Sequence, residues 1–178
     1  MNIPFIDLTS QQQKIRSAID TRIKNVLEHG KYIMGPEIEE LESVLSKRVD
    51  ANYVISCGSG TDALLLALMG LQLKPGQGVI VPSFTFTASA EVMPLLGAIP
   101  IFAEVDEETF TLNPARLQDA LDSAIRSAIE VVGIMSVGLF GQPAQMDKIN
   151  SFAEENGLWV LDDAAQSFGT EFRGAKTG

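Results

Sequence analysis

From Ser10 onward, apolar residues recur at helical spacing. Ile15, Ile19, Ile23, Val26 and Leu27 form one stripe, and Gly30 stops the run. Ser10, with Gln13 three residues later, has the form of a capping box. Pro36 opens a second helix at its first turn, and Ile38, Leu41, Leu45 and Val49 give that helix an apolar face. After Asn52 the rhythm changes, and short apolar runs begin to alternate with helical stretches. Strands are predicted at Tyr53–Ser56, Val79–Pro82, Ile99–Val105, Val131–Val137 and Leu158–Leu161. Between them, helices are predicted over Gly60–Leu73, Thr85–Leu96, Pro114–Ser127 and Met146–Asn156. Asn113-Pro114 marks one start clearly, a cap followed by proline at the first position.

This alternation predicts an α/β fold, three layers deep (α/β/α), with a mainly parallel sheet covered on both faces. No repeat, low-complexity stretch or Gly/Ser linker interrupts the pattern. The one candidate boundary is near Tyr32–Pro36, setting an N-terminal helix and loop (residues 1–35) apart from residues 36–178.

Composition narrows the chemistry. With 178 residues, 46% of them hydrophobic, the chain can bury a real core. A formal net charge of -10 argues against nonspecific nucleic-acid binding, which needs clustered Lys and Arg. It leaves room for small anions held by backbone N–H groups. Cys57 and His29 are the only residues of their kinds, so neither an internal disulfide nor a Cys/His zinc site can form. A reduced, cytoplasmic setting is expected. The start, MNIPFIDL, lacks the basic and apolar regions of a signal peptide, and no apolar run is long enough for a membrane span.

Three turns carry candidate chemistry. The first, Cys57-Gly58-Ser59-Gly60-Thr61-Asp62-Ala63, joins a predicted strand to a helix. Its glycines let the backbone approach an anion, the first helical N–H groups point outward, and the Thr61 hydroxyl adds a donor. A tight turn without a ligand would use the same residues. Gly58, Gly60 and Ala63 also fit the G-x-G-x-x-A spacing of a dinucleotide fold, but the second strand ends Val81-Pro82-Ser83 without the acidic residue that ribose binding expects. A single phosphate is therefore favoured. The second turn, Ser83-Phe84-Thr85-Phe86-Thr87, offers aromatic rings that either stack on a planar ligand or pack into the core. In the third, the last strand runs into Asp162-Asp163-Ala164-Ala165-Gln166. Adjacent strand residues face opposite ways, so one carboxylate should face a given site. It could bind a metal, act as a base, pair with a protonated heterocycle nitrogen, or simply cap the junction. Metal is disfavoured for want of further ligands. A phosphate cradle, a flat-ring platform and a partner for a ring nitrogen together describe pyridoxal 5′-phosphate (PLP).

Several motifs then occur in a familiar order. They are His29-Gly30-Lys31-Tyr32-Ile33-Met34-Gly35-Pro36-Glu37, Gly58-Ser59-Gly60-Thr61-Asp62-Ala63, Pro82-Ser83-Phe84-Thr85-Phe86, Leu139-Phe140-Gly141-Gln142-Pro143-Ala144 and Asp163-Ala164-Ala165-Gln166. With them the chain resembles the DegT/DnrJ/EryC1/StrS family of PLP-dependent sugar aminotransferases, of fold-type I. The resemblance implies that residues 36–178 are the first part of the PLP-binding large domain. It implies that Gly60 and Thr61 bind the cofactor phosphate, Phe86 stacks on the pyridine ring, Asp163 pairs with the ring nitrogen and Gln166 sits near the ring oxygen. Tyr32 and Gly35 would lie near the sugar nucleotide. Glutamate as amino donor, a UDP-linked 3-oxo sugar such as UDP-2-acetamido-3-oxo-glucuronate as acceptor, a homodimer and a role in surface polysaccharide biosynthesis are implied as well. The family's Schiff-base lysine is expected beyond Gly178. Lys176 falls in Phe172-Arg173-Gly174-Ala175-Lys176, which reads as a solvated hairpin, so the 178-residue chain alone is expected to be inactive. A truncated, non-catalytic binding module is the alternative. The chain has Gly138 where many members carry histidine, which puts any role of that histidine in doubt.

Overall fold

A computed structural model describes residues 5–177. The chain divides into two compact units, Met1–Leu45 and Ser46–Gly178.

In the first unit, helix α1 (Leu8–His29) is capped by Asp7 rather than Ser10: the Asp7 Oδ1 accepts the Ser10 N–H at 3.0 Å. An aspartate three residues upstream thus supplies the acceptor, and Ser10 lies within the helix it was expected to cap. Gly30 closes α1 in the left-handed conformation, φ 65°. Helix α2 (Pro36–Val49) begins at Pro36 as predicted and crosses the division between the units. Arg22 of α1 holds both carboxylate oxygens of Glu40 on α2.

The second unit is built on a four-stranded, fully parallel sheet. Its strands are β1 (Gly78–Pro82), β2 (Ile99–Ala103), β3 (Val131–Val137) and β4 (Trp159–Asp163), in the order β2-β1-β3-β4. Helices α3 (Gly60–Gly70), α4 (Ala88–Leu95), α5 (Leu117–Arg126) and α6 (Met146–Asn156) cover it. Strand parity decides which face each side chain serves. Val79, Val81, Met135, Trp159 and Leu161 pack with Leu64, Leu68, Val92 and Met93 of α3 and α4. Ile80, Ile134 and Val160 pack with Leu117, Ala120, Ile149 and Ala153 of α5 and α6. Each fully buried Leu, Ile or Val contributes roughly 1.5–3 kcal/mol, so the sheet is held from both sides. The three-layer expectation therefore stands.

Several boundaries differ from expectation. Tyr53–Ser56 joins neither sheet, and Tyr53 and Ile55 are more than four-fifths exposed. Apolar β-branched sequence favours a strand only where a neighbouring strand is there to pair with it. Helix α4 begins at Ala88, not Thr85, which leaves Thr85–Thr87 as a loop. Pro114–Arg116 is a tight 3-10 turn preceding α5, with Asn113 Oδ1 accepting the Ala115 N–H. Glu171–Phe172 and Ala175–Lys176 form a short antiparallel hairpin, β5 and β6, turning through Arg173 and Gly174 at positive φ. No helix among the described residues is long and apolar enough to cross a membrane.

Candidate functional site

The order β2-β1-β3-β4 makes β1 the point from which successive connections diverge, β2 to one side and β3 to the other. Open parallel sheets bind ligands beyond the carboxyl ends of the strands flanking such a point.

Asp163 ends β4, and parity directs it to the α3/α4 face. Its carboxylate is held on both oxygens. Oδ2 accepts the Ser89 hydroxyl at 2.9 Å, and Oδ1 accepts the Ala165 N–H at 3.2 Å. Its neighbour Asp162 faces the other way. There Oδ1 accepts the Ser136 hydroxyl at 2.5 Å, and burial pushes the Asp162 carboxyl above the ordinary aspartate range, with the Ser136 bond pulling it down and the Asp163 charge pushing it up. The expected division of the pair between faces is observed, and Asp163 is the member on the side of α4.

Gln166 lies past the end of β4 and is exposed. Its Oε1 accepts the Phe140 N–H at 2.8 Å, leaving its amide nitrogen as the donor. Phe140 adopts a left-handed conformation, φ 58°. Its ring meets Phe110 edge-on at 6.0 Å, and Phe110 in turn lies 5.9 Å from Phe84. Phe84 is thus engaged by another ring, whereas Phe86 is two-thirds exposed. Phe86 also accepts the Ser89 N–H on its carbonyl, so a single turn carries both Phe86 and the hydroxyl that holds Asp163.

Gly60 and Thr61 begin α3. The Ser59 side chain caps this helix by accepting the Asp62 N–H at 3.1 Å, and the first intrahelical bond runs from Ala63 N–H to the Ser59 carbonyl. The N–H groups of Gly60 and Thr61 precede that bond and belong to the set a helix leaves for a ligand or water. A Cβ built on Gly60 would meet nothing within 4 Å, so the space over the turn is open. The turn is tied to the other residues through the packing of α3 on α4, in which Leu64 and Leu68 share a core with Val92 and Met93.

In the first unit, Tyr32 is two-thirds exposed and Gly35 is buried. A Cβ on Gly35 would collide with the Lys31 carbonyl, so the loop closes on itself only with glycine there. His29 pins the same loop. Its Nδ1 accepts the Lys31 N–H at 3.0 Å, and its Nε2 lies 3.0 Å from Glu37 Oε1, a bond that holds the Glu37 carboxyl below its ordinary range. Lys176 is exposed on β6.

Two residues of the site were not singled out from the sequence, Ser89 and Ser136. Each is a polar residue at an apolar position, Ser89 one turn before Val92 and Met93, Ser136 inside the run Val131–Val137, and that mismatch is the signal that could have found them. The departure at Gly138 also has a local cause. A Cβ there would overlap the buried Ser167 side chain, so no larger residue fits while Ser167 keeps this position.

The sequence profile of the DegT/DnrJ/EryC1/StrS aminotransferase family matches residues 13–178. A UDP-2-acetamido-2-deoxy-3-oxo-D-glucuronate aminotransferase of Pseudomonas aeruginosa is 45% identical over 175 residues, which are 98% of this chain and 47% of that protein. A dTDP-3-amino-3,4,6-trideoxy-alpha-D-glucose transaminase of Streptomyces venezuelae is 36% identical over 99% of this chain and 45% of its own length. Among solved structures, S. venezuelae DesV in complex with a ketimine intermediate superposes with a TM-score of 0.93 at 36% identity, covering 99% of this chain and 46% of that one. The Bacillus subtilis protein NtdA with bound cofactor PMP superposes with a TM-score of 0.86 at 30% identity, covering 97% of this chain and 39% of that one. The chain spans about half the length of the curated relatives it matches. These neighbours are PLP-dependent aminotransferases of fold-type I. In sequence and in fold, this chain belongs to the DegT/DnrJ/EryC1/StrS aminotransferase family.

Proposed function

We propose that residues 36–178 supply the cofactor-facing part of a PLP-dependent aminotransferase that moves an amino group from glutamate to a nucleotide-linked keto sugar. The observation that carries this reading is the Asp163 carboxylate, anchored on both oxygens at the carboxyl end of β4 and on the same face as α4. Such a group suits a protonated ring nitrogen, because its orientation is set before a ligand arrives. The residues present fit the cofactor: an open turn with unshared N–H groups at Gly60 and Thr61, an exposed ring at Phe86, and an amide donor at Gln166.

When bound, PLP supplies the electron sink for amino-group transfer. The protein's own contributions are positional. The N–H groups of Gly60 and Thr61 would donate to the phosphate. Phe86 would lie against the ring, Asp163 would keep a proton on the ring nitrogen, and the Gln166 amide would donate to the ring oxygen. A lysine other than Lys176, which lies exposed on its hairpin, would hold the cofactor and move the proton. Tyr32 and Gly35, in the loop pinned by His29 and Glu37, contact the sugar nucleotide.

The acceptor we favour is a UDP-linked 3-oxo sugar such as UDP-2-acetamido-3-oxo-glucuronate, supported by the 45% identity to the P. aeruginosa enzyme of that name. The setting we favour is a cytoplasmic homodimer serving surface polysaccharide synthesis. The test uses the protein carrying this chain together with the lysine-bearing part. Supplied with PLP and glutamate, it should release 2-oxoglutarate in proportion to added UDP-3-oxo sugar. Release that does not respond to any keto sugar would overturn the substrate assignment.

A further inference from the structure

We propose that Ser89 is a positioning residue for Asp163, setting the carboxylate at the angle the cofactor ring nitrogen requires. The proposal rests on the assignment of Asp163 to that nitrogen. Ser89 is fully buried and sits on the face of α4 that also carries Val92 and Met93, both fully buried. A hydroxyl at such a position costs stability unless it is hydrogen-bonded. Its single proton is given to Asp163 Oδ2 at 2.9 Å, across 74 residues of sequence. The other oxygen, Oδ1, takes the Ala165 N–H from the chain immediately following. Local backbone thus fixes one oxygen and α4 fixes the other, so the carboxylate plane cannot turn about its last bond without losing a partner.

The same turn reaches the ring platform. The Ser89 N–H donates to the Phe86 carbonyl at 3.2 Å. Phe86 and the Ser89 hydroxyl are therefore one mechanical piece, and β4 is registered against it through Asp163. A hydrogen bond to a charged acceptor is among the stronger kinds. Its loss frees the carboxylate to rotate and leaves Oδ2 with water or nothing.

The experiment measures the dissociation constant of pyridoxamine 5′-phosphate, thermal melting and steady-state kinetics in the protein carrying this chain with its lysine-bearing part. The variants are Ser89→Ala, Ser89→Cys, Ser89→Thr, Asp163→Asn and Ser89→Ala combined with Asp163→Asn. Ser89→Ala is expected to weaken binding about tenfold, as loss of a charge-assisted bond does, and to lower kcat while KM for the keto sugar is unchanged. Ser89→Cys keeps the shape with a somewhat larger atom, weakens the donor and should follow Ser89→Ala. Ser89→Thr restores a hydroxyl and should bind within about threefold of the parent, less than the effect of one lost hydrogen bond. In the Asp163→Asn background, adding Ser89→Ala should cost little more, because the partner is already altered.

An equal loss on both backgrounds would show that Ser89 only stabilises the α4–β4 junction, and would overturn the proposal. So would parent-like binding in both Ser89→Ala and Ser89→Cys. If Asp163→Asn itself binds and turns over like the parent, the ring-nitrogen reading fails first and the role of Ser89 fails with it.

Discussion

Placing a methyl group on Gly133 should dislodge the chain's sole tryptophan and loosen the strand that carries Asp163. Gly133 lies in the buried centre of β3, in register with Trp159 on β4. The space a Cβ would occupy is already filled by the indole, at three atoms of its six-membered ring. Gly133 does not adopt the left-handed conformation, so the cost of Gly133→Ala is steric and not conformational. The backbone of β3 cannot retreat, because ladders to β1 and β4 hold it on both sides. Trp159 must leave its position against the α3/α4 core. Overpacking of this kind costs about 1–3 kcal/mol, which lowers Tm by roughly 2–12 °C in a domain of this size. Thermal melting and tryptophan emission report the change together. In a Trp159→Leu background, adding Gly133→Ala should cost much less than it does in the parent, since the smaller side chain clears the collision. A Gly133→Ala protein with unchanged melting and unchanged emission would refute the packing argument.

Two further outcomes follow from the site. Asp162 is a carboxyl whose folded value is raised by burial, so its contribution is present while it is protonated at acid pH and is lost as pH rises through that raised value. Asp162→Asn should therefore gain stability relative to the parent as pH climbs from the ordinary aspartate range toward neutrality, measured by urea unfolding; parallel stability curves would contradict it. Phe86→Ala should weaken PLP binding by about tenfold if the ring stacks, whereas Phe84→Ala, whose ring already meets Phe110, should act mainly on melting temperature.

Much of the second unit was legible because buried parallel strands and amphipathic helices leave distinct apolar periods. The runs at Val131–Val137 and Met146–Asn156 match their elements end to end. Tyr53–Ser56 misled because a short apolar run is a property of the segment, while a strand is a property of a pair. The cap of α1 misled because Asp7 and Ser10 are both competent acceptors, each three residues before a backbone N–H, so spacing alone does not choose between them. At the site, parity alone separated Asp162 from Asp163, and the hydrogen bonds to Ser136 and Ser89 bear that separation out. Ser89 escaped notice because its partner is distant in sequence, and periodicity carries no information about cross-element hydrogen bonds. Gly138 and Ser167 illustrate the same point, since the overlap that ties them together joins two loops.

Whether Asp163 keeps a proton on the nitrogen of a pyridine ring is read from the nitrogen resonance of 15N-labelled PLP bound to the protein carrying this chain with its lysine-bearing part. A protonated-nitrogen shift is expected at neutral pH and should be lost in Asp163→Ala while PLP stays bound. An unprotonated ring nitrogen in the parent protein, or a shift that Asp163→Ala leaves unchanged, would contradict it.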